Sequence, residues 1–388
     1  MKILHVCSDT AYGCLAAVSE LAIAQVNLGL DVEVMLIREE GQVVSAFRRN
    51  RMESSGVRTH LDSLPRLRSW MRPRIVCRGA SVIAATSRLL RYTSNCDLVH
   101  GHGGLGCICA YGAARYRRIP VVATRHGLEP GPLHTLAWRF LLTRVDRYVS
   151  LLPEDNEHLY KANSTSLGDI PRNGIDATAW RGLKSAAESL RGKFGIPLDG
   201  FVVGVVGRLA PEKQQAFFLR ALASHSREAG GVHVLVIGEG PSQTEVQASA
   251  RSLGCEDKVS FLGFVDDMPA AYRSLDLIVM TSTRESQSMV VLEAMAAGVP
   301  VVATDVGGTP WLLGDGAGWL VSPLDEAALV HAIEALRREP ARRQALADNA
   351  RQRVEDLFDS MAAARDYLQK VYNPVLGIPV MECRSSNS

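Results

Sequence analysis

The string Gly204-Val205-Val206-Gly207-Arg208-Leu209-Ala210-Pro211-Glu212-Lys213 joins an apolar, β-branched run to two cations. Arg208 offers a planar fork matched to phosphate oxygens, and Lys213 offers a compact point charge. A helix beginning beside Lys213 adds the partial positive charge of its unpaired amides. Together these groups suit a pyrophosphate, and Gly207 ends the strand where ligands bind in parallel sheets.

A second string, Glu285-Ser286-Gln287-Ser288-Met289-Val290-Val291-Leu292-Glu293-Ala294-Met295-Ala296-Ala297-Gly298, reads as a loop, a helix and a stop. Ser288 is placed to cap the helix and Gly298 to end it. Glu285 falls in the loop and Glu293 early in the helix. Carboxylates accept from paired hydroxyls, so one suits sugar hydroxyls and the other a ribose diol. The amides of Gln287, Ser288, Met289 and Val290 are placed to approach phosphate. After the next apolar run, Thr304-Asp305-Val306-Gly307-Gly308-Thr309 carries adjacent glycines, Gly307 and Gly308, that permit backbone approach to a diphosphate.

Toward the N-terminus, Ser8-Asp9-Thr10-Ala11-Tyr12-Gly13-Cys14 joins a strand to a helix over Leu15–Leu28. Tyr12 and Gly13 are candidates for donor or acceptor contacts there. The string is neither a Gly-x-Gly-x-x-Gly nor a Walker loop, which argues against dinucleotide and ATP sites. His100-Gly101-His102 and Arg125-His126-Gly127 end two other strands, so Arg125, His102 and His126 converge on one edge. His126 is the stronger candidate for a contact near the reacting sugar, with His102 and Arg125 on the acceptor side.

Eight cysteines are scattered, and Cys107-Ile108-Cys109 has the wrong spacing for a redox or zinc pair, so reduced thiols and no metal are expected.

These residues need a scaffold that brings strand ends together. Short runs rich in β-branched residues alternate with longer helical patterns: Ile3–Val6, Val32–Ile37, Leu98–His100 and Val121–Thr124, then Phe201–Val206, Val232–Ile237, Val259–Leu262, Leu277–Met280 and Val299–Ala303. Continuous apolar strands are covered on both faces, so the expected fold class is α/β, with two doubly wound Rossmann-like domains facing across a cleft. The first is expected over residues 1–175 and the second over 199–357, joined by a linker at 176–198. Asn173-Gly174-Ile175-Asp176 reads as a turn. The last helical pattern, about Ala341–Tyr372, precedes Pro374. A C-terminal helix near 358–380 is expected to pack back on the first domain, before a flexible tail at 381–388.

A chain of 388 residues with 47% hydrophobic and 22% charged residues supports two such cores. The net charge of +2 conceals an asymmetry of roughly +7 over residues 1–190 and roughly −5 over the remainder. Most of the excess lies between Arg48 and Arg91, where eleven arginines and Trp70 face only Glu53 and Asp62. Such a stretch suits an anionic membrane surface or an anionic acceptor. The start, Met1-Lys2-Ile3-Leu4-His5-Val6-Cys7, is too short an apolar run for a signal peptide. A cytoplasmic location, peripheral on the inner face of a membrane, is the expectation.

Taken in order, these strings resemble the retaining family-4 glycosyltransferases of the GT-B fold. The collinear series carries the resemblance: the first strand and its glycine turn, Asp97–Gly103, Val121–Gly127, the strand end at Ser150, Asn173–Asp176, Gly207-Arg208 with Pro211-Glu212-Lys213, Gly238-Glu239-Gly240-Pro241, Phe261–Val265, Glu285 to Glu293, and Val306-Gly307-Gly308. The resemblance implies that Arg208 and Lys213 bind the diphosphate, Glu285 the donor sugar, and Glu293 the ribose. It places His126 beside the anomeric centre, making His126, Glu285, Arg208 and Lys213 the catalytic set. It further implies a nucleotide diphosphate sugar as co-substrate, UDP favoured, with no cofactor and no metal. The acceptor is a glycan or glycolipid of surface polysaccharide such as lipopolysaccharide, and no nucleic-acid partner is implied. Family members commonly carry Glu-Gly-Phe-Gly where this chain has Glu285-Ser286-Gln287-Ser288, and a Gly-Gly pair where it has Gly13. A nucleotide-sugar epimerase, or a weakly catalytic scaffold binding membrane or a partner through the arginines, would use the same scaffold.

Overall fold

The computed structural model describes residues 1–8, 13–39, 43–64, 74–127, 138, 140–151, 171–181, 191–196, 199–224 and 231–379, and over 74–81 the backbone only. Tyr12, the tail at 381–388, and Arg66, Arg68, Trp70 and Arg72 lie outside the described residues, as do the side chains of Arg74 and Arg78. The chain divides into two compact units, Met1–Gly174 with Ser360–Ser388, and Ile175–Asp359. No described helix is long and apolar enough to cross a membrane.

The first unit holds β1 (Lys2–Cys7), β2 (Asp31–Glu39), β3 (Arg58–Leu64), β4 (Leu98–His102), β5 (Val121–Arg125) and β6 (Arg147–Ser150). All are parallel, in the order β3-β2-β1-β4-β5-β6. Successive side chains point to opposite faces, so β1 serves two layers at once. Leu4 and Val6 pack with Ala110 and Ala113 of the helix Gly104–Arg117. Ile3 packs with Leu21 and Ala24 of the helix Gly13–Asn27 and with Tyr367 and Val371 from the C-terminal segment. Each such fully buried aliphatic side chain contributes about 1.5–3 kcal/mol.

The second unit repeats the plan. It holds β7 (Phe201–Val206), β8 (Val232–Ile237), β9 (Val259–Gly263), β10 (Leu277–Met280), β11 (Val301–Thr304) and β12 (Trp319–Val321), in the order β12-β11-β10-β7-β8-β9. Renumbered within its own half, that is the doubly wound order of the first sheet. The order reverses between β1 and β4 in one unit and between β7 and β10 in the other, and crevices at such switch points hold ligands.

Several boundaries differ from the sequence expectation. Asn173–Asp176 is not a turn: Ile175 is fully buried, pairs in parallel with Asp359, and its N–H donates to the Phe358 carbonyl at 2.8 Å. Within 176–198, Ala177–Arg181 is helical, and its buried Trp180 meets the Tyr272 ring edge-on at 5.6 Å. The long C-terminal pattern is broken by that pairing into the helices Pro340–Leu357 and Ser360–Asp366. A π-helical turn, Tyr367–Tyr372, follows, and then Asn373–Leu376. Pro374 does not stop the chain there, because it sits in the first turn of that last helix, where its missing N–H costs little.

Candidate active site

In the second unit the loops after β7 and β10 are tied to each other. Pro211–Lys213 forms one 3-10 turn, and Thr281 Oγ1 donates to the carbonyls of Lys213 and Gln214, both at 3.1 Å. The Thr283 N–H donates to the Glu212 carbonyl at 2.8 Å. This stitching brings Lys213 Nζ to 2.5 Å from Glu285 Oε1, the oxygen that also accepts from Ser282 Oγ at 2.7 Å. Arg208 is exposed at the end of β7, its carbonyl held at 3.0 Å by Gln215 Nε2. Its guanidinium makes no ion pair among the described residues.

Ser288 stands at the N-cap of the helix Met289–Ala297, and Gly298 ends it at φ 71°. The expected side-chain cap is not formed: Ser288 Oγ is buried and lies 3.6 Å from Met280 Sδ. The Met289 side chain is buried too, so only its backbone is placed to meet a ligand. Glu293 is 3% exposed and accepts from Tyr272 Oη at 3.0 Å, with Oη also 3.3 Å from the Val290 carbonyl. A carboxylate is the stronger of those two acceptors.

Gly307 and Gly308 meet a steric requirement besides the ligand approach the sequence suggested. Gly307 has φ 51°, and a Cβ there would fall on the Glu285 carbonyl oxygen, while one on Gly308 would fall on that of Ser286. The pair lets the 285–286 backbone pack directly on the turn, and the Gly308 N–H reaches the Glu285 carbonyl at 3.3 Å. Gly207, at φ 126°, meets Gly238 in the same way, since a Cβ on Gly238 would fall on the Gly207 carbonyl. These close backbone contacts fix where Glu285 and Arg208 start from.

In the first unit, Gly13 is the first residue of its helix and a Cβ there would meet no other described residue within 4 Å. His126 is half-buried and, with His102, Arg172, Asn173 and Tyr367, lines a small cavity. Arg125 lies over the Trp138 ring, 5.7 Å from its centroid. His102, expected on the acceptor side, is instead fully buried between His5 and His126: its Nε2 is 2.8 Å from His5 Nδ1 and its Nδ1 2.9 Å from His126 Nε2. The row continues through Gln25 to Tyr372 and His100. Burial lowers the pKa of His5 and of His126 to about 4, and those of His100 and His102 well below the usual imidazole range. All four rings are neutral at pH 7.

The described arginines of the basic stretch are largely paired. Arg49 meets Glu53, Arg51 meets Glu20, Arg58 meets Glu33 and Asp31, and Arg88 meets Asp62. Six of the cysteines are described; all are free thiols and all but Cys255 are buried.

Comparison with known proteins bears on both units. The model of the family described as glycosyl transferases group 1 matches residues 186–353, and that of glycosyltransferase family 4 matches residues 16–166. The chain belongs to the family-4 glycosyltransferases of the GT-B fold. Among curated relatives of this glycosyltransferase, the 2-deoxystreptamine glucosyltransferase of Streptomyces kanamyceticus is 28% identical over 342 residues, 82% of this chain and 88% of the relative. The D-inositol 3-phosphate glycosyltransferase of Salinispora arenicola is 32% identical over 294 residues, 67% of this chain and 65% of its own length. In fold, the chain is like Anabaena HepE in complex with UDP and glucose, with a TM-score of 0.76, 20% identity, and 96% of this chain and 100% of that one covered.

Sequence reasoning did not find Ser282, Tyr272, Gln25, His5 or Tyr372. Ser282 was open to discovery, three residues from Glu285 in the same polar loop. Tyr272 and Tyr372 carry no local signal, because their partners lie far away along the chain.

Proposed function

We propose that the chain moves a hexose, with retention of configuration, from a uridine diphosphate sugar to a hydroxyl acceptor. In this reading Arg208 and Lys213 hold the diphosphate, Glu285 the sugar hydroxyls and Glu293 the ribose diol, while His126 meets the transferred sugar. The observation that carries it is the buried Glu285 carboxylate, gripped by Lys213 and Ser282 in loops stitched together at the β7–β10 switch point. Two side-chain cations and loop amides stabilise the charge that grows on the leaving diphosphate, so no metal is invoked. The acceptor hydroxyl attacks on the face from which the diphosphate departs and gives its proton to a phosphate oxygen; no protein base is assigned.

The relatives favour a cyclitol as acceptor, since 2-deoxystreptamine and D-inositol 3-phosphate stand in their names. A glycan or glycolipid acceptor at a membrane rests on the arginine-rich stretch, whose described members are mostly ion-paired within the unit, and this weakens it.

The test is a panel of nucleotide sugars against inositol phosphates, aminocyclitols and lipid-linked glycans, with and without EDTA. Transfer that survives EDTA and keeps the anomeric configuration supports the proposal. Conversion of the donor sugar in the absence of any acceptor would point to an epimerase, and no heat of UDP binding in calorimetry to a scaffold.

A further inference from the structure

The loop from β7 to the helix Gln215–Ser224 carries two local costs side by side. Gln214 adopts φ 54° and ψ 36°, a left-handed backbone that residues other than glycine take up only under strain. Its neighbour Gln215 is 4% exposed, and the Oε1 of its side chain has no hydrogen-bond partner among the described residues. A buried acceptor left unpaired is destabilising too. Features of this kind persist where the surrounding structure holds them for another reason.

The main chain of the loop supplies that reason. Gln215 Nε2 donates to the Arg208 carbonyl at 3.0 Å, and because a carbonyl has no proton to give, the amide cannot be turned round to satisfy Oε1 instead. Every carbonyl from Arg208 to Gln214 is engaged in a similar way. Those of Leu209, Ala210 and Pro211 accept from the N–H groups of Ser242, Lys213 and Gln214 at 3.0, 2.9 and 3.3 Å. That of Glu212 accepts from the Thr283 N–H at 2.8 Å. Those of Lys213 and Gln214 share the hydroxyl proton of Thr281, which is 3% exposed. The two soft angles of Gln214 set how its own carbonyl stands to that of Lys213, and in the left-handed conformation both reach this one hydroxyl.

A carbonyl oxygen carries partial negative charge and repels a phosphate that it faces. With these oxygens turned onto protein donors, the loop meets an anion with the side chains of Arg208 and Lys213 and without opposing dipoles. Dipoles fixed before the ligand arrives need no rearrangement when charge develops.

We propose that Thr281 and Gln215 are positioning residues for the donor diphosphate, holding the carbonyls of Arg208, Lys213 and Gln214 away from it while the two cations grip it. The proposal rests on the role given to Arg208 and Lys213 above, and every residue in it belongs to the second unit. Both side chains are buried, so they act through the loop and touch no ligand.

Calorimetric titration of the full chain with uridine diphosphate, beside thermal unfolding of the ligand-free chain, tests this. Thr281→Val keeps the shape and removes the donor, and is expected to weaken binding five- to thirtyfold, whereas Thr281→Ser stays within about threefold of wild type. Gln215→Met removes the unpaired oxygen together with the grip on Arg208, whose freed carbonyl can turn to water. Its Tm is expected to equal or exceed that of wild type while binding weakens three- to tenfold. Thr281→Ser as weak as Thr281→Val would show a packing role and overturn the positioning role of Thr281. Wild-type affinity in both Thr281→Val and Gln215→Met overturns the proposal and leaves the donor site standing. If Thr281→Val does not fold, Gln215→Met decides: affinity and Tm falling together, or affinity unchanged, overturns the proposal. A wild-type chain that gives no heat with uridine diphosphate overturns the donor reading itself, whatever the variants do.

Discussion

Lys213 Nζ lies 2.5 Å from Glu285 Oε1, joining the loop after β7 to the loop after β10. The Glu285 side chain is 7% exposed, so its carboxylate relies on this cation and on Ser282 for polar partners. Lys213→Ala is expected to lower kcat/KM ten- to hundredfold, since losing a charge-assisted contact costs about 1.5–3 kcal/mol. It should also lower Tm, because a buried carboxylate is left with one partner fewer. Turnover within about threefold of wild type would remove Lys213 from the donor site.

Tyr272 Oη donates to Glu293 Oε2, and nothing about the string around Tyr272 announces it. Tyr272→Phe keeps the edge-on contact with Trp180 and removes one donor from a buried carboxylate. The cost of such a loss is about 1–3 kcal/mol, so the donor KM is expected to rise roughly five- to fiftyfold. Glu293→Ala should raise it further. An unchanged KM in both variants would dissociate Glu293 from ribose binding.

Interior strands were legible where the side chains are apolar on both faces, as in Val232–Ile237; of the edge strands, only Val259–Gly263 was. Arg58–Leu64 is half-exposed and polar, Arg147–Ser150 is four residues long with its first two partly exposed, and Trp319–Val321 has only three residues, so none shows a continuous apolar run. The same divide holds at the site. Arg208, Lys213, Glu285 and Glu293 stand beside strand ends and short loops that local patterns reveal. Gln25 and Tyr372 are 347 residues apart, and their meeting is a product of the chain's return to the first unit.

Glycine substitutions separate steric need from ligand approach. Gly307→Ala requires a side chain at φ 51° and directly against the Glu285 carbonyl. It should destabilise by more than about 1 kcal/mol and displace Glu285, with both Tm and kcat/KM falling. Gly13→Ala meets none of the described residues within 4 Å and should leave Tm unchanged or slightly raised. Any rise in donor KM for Gly13→Ala would then report backbone approach by the ligand, whereas an unchanged KM would remove Gly13 from the donor site.

The neutral histidines impose a pH dependence with a definite sign. Burial depresses the pKa of His5 to about 4 and holds those of His100 and His102 well below the 6.5 of a free imidazole. Below pH 6.5 the unfolded chain takes up protons that these folded rings refuse, so stability is fully present above that pH and is lost as pH falls. Each refusing ring contributes a slope of up to about 1.4 kcal/mol per pH unit. The Glu33 carboxylate works in a lower window: burial pushes it up, but hydrogen bonds from Lys2, His60 and Arg58 hold it down to about 2, so its contribution is present above pH 4.5 and fades toward pH 2. Urea unfolding between pH 7.5 and 5 should therefore show a falling midpoint before the carboxylate window begins. His100→Asn, which cannot take up a proton in either state, should flatten that fall. A midpoint constant from pH 7.5 to 5 in the wild type would mean that these imidazoles are not held neutral by their burial.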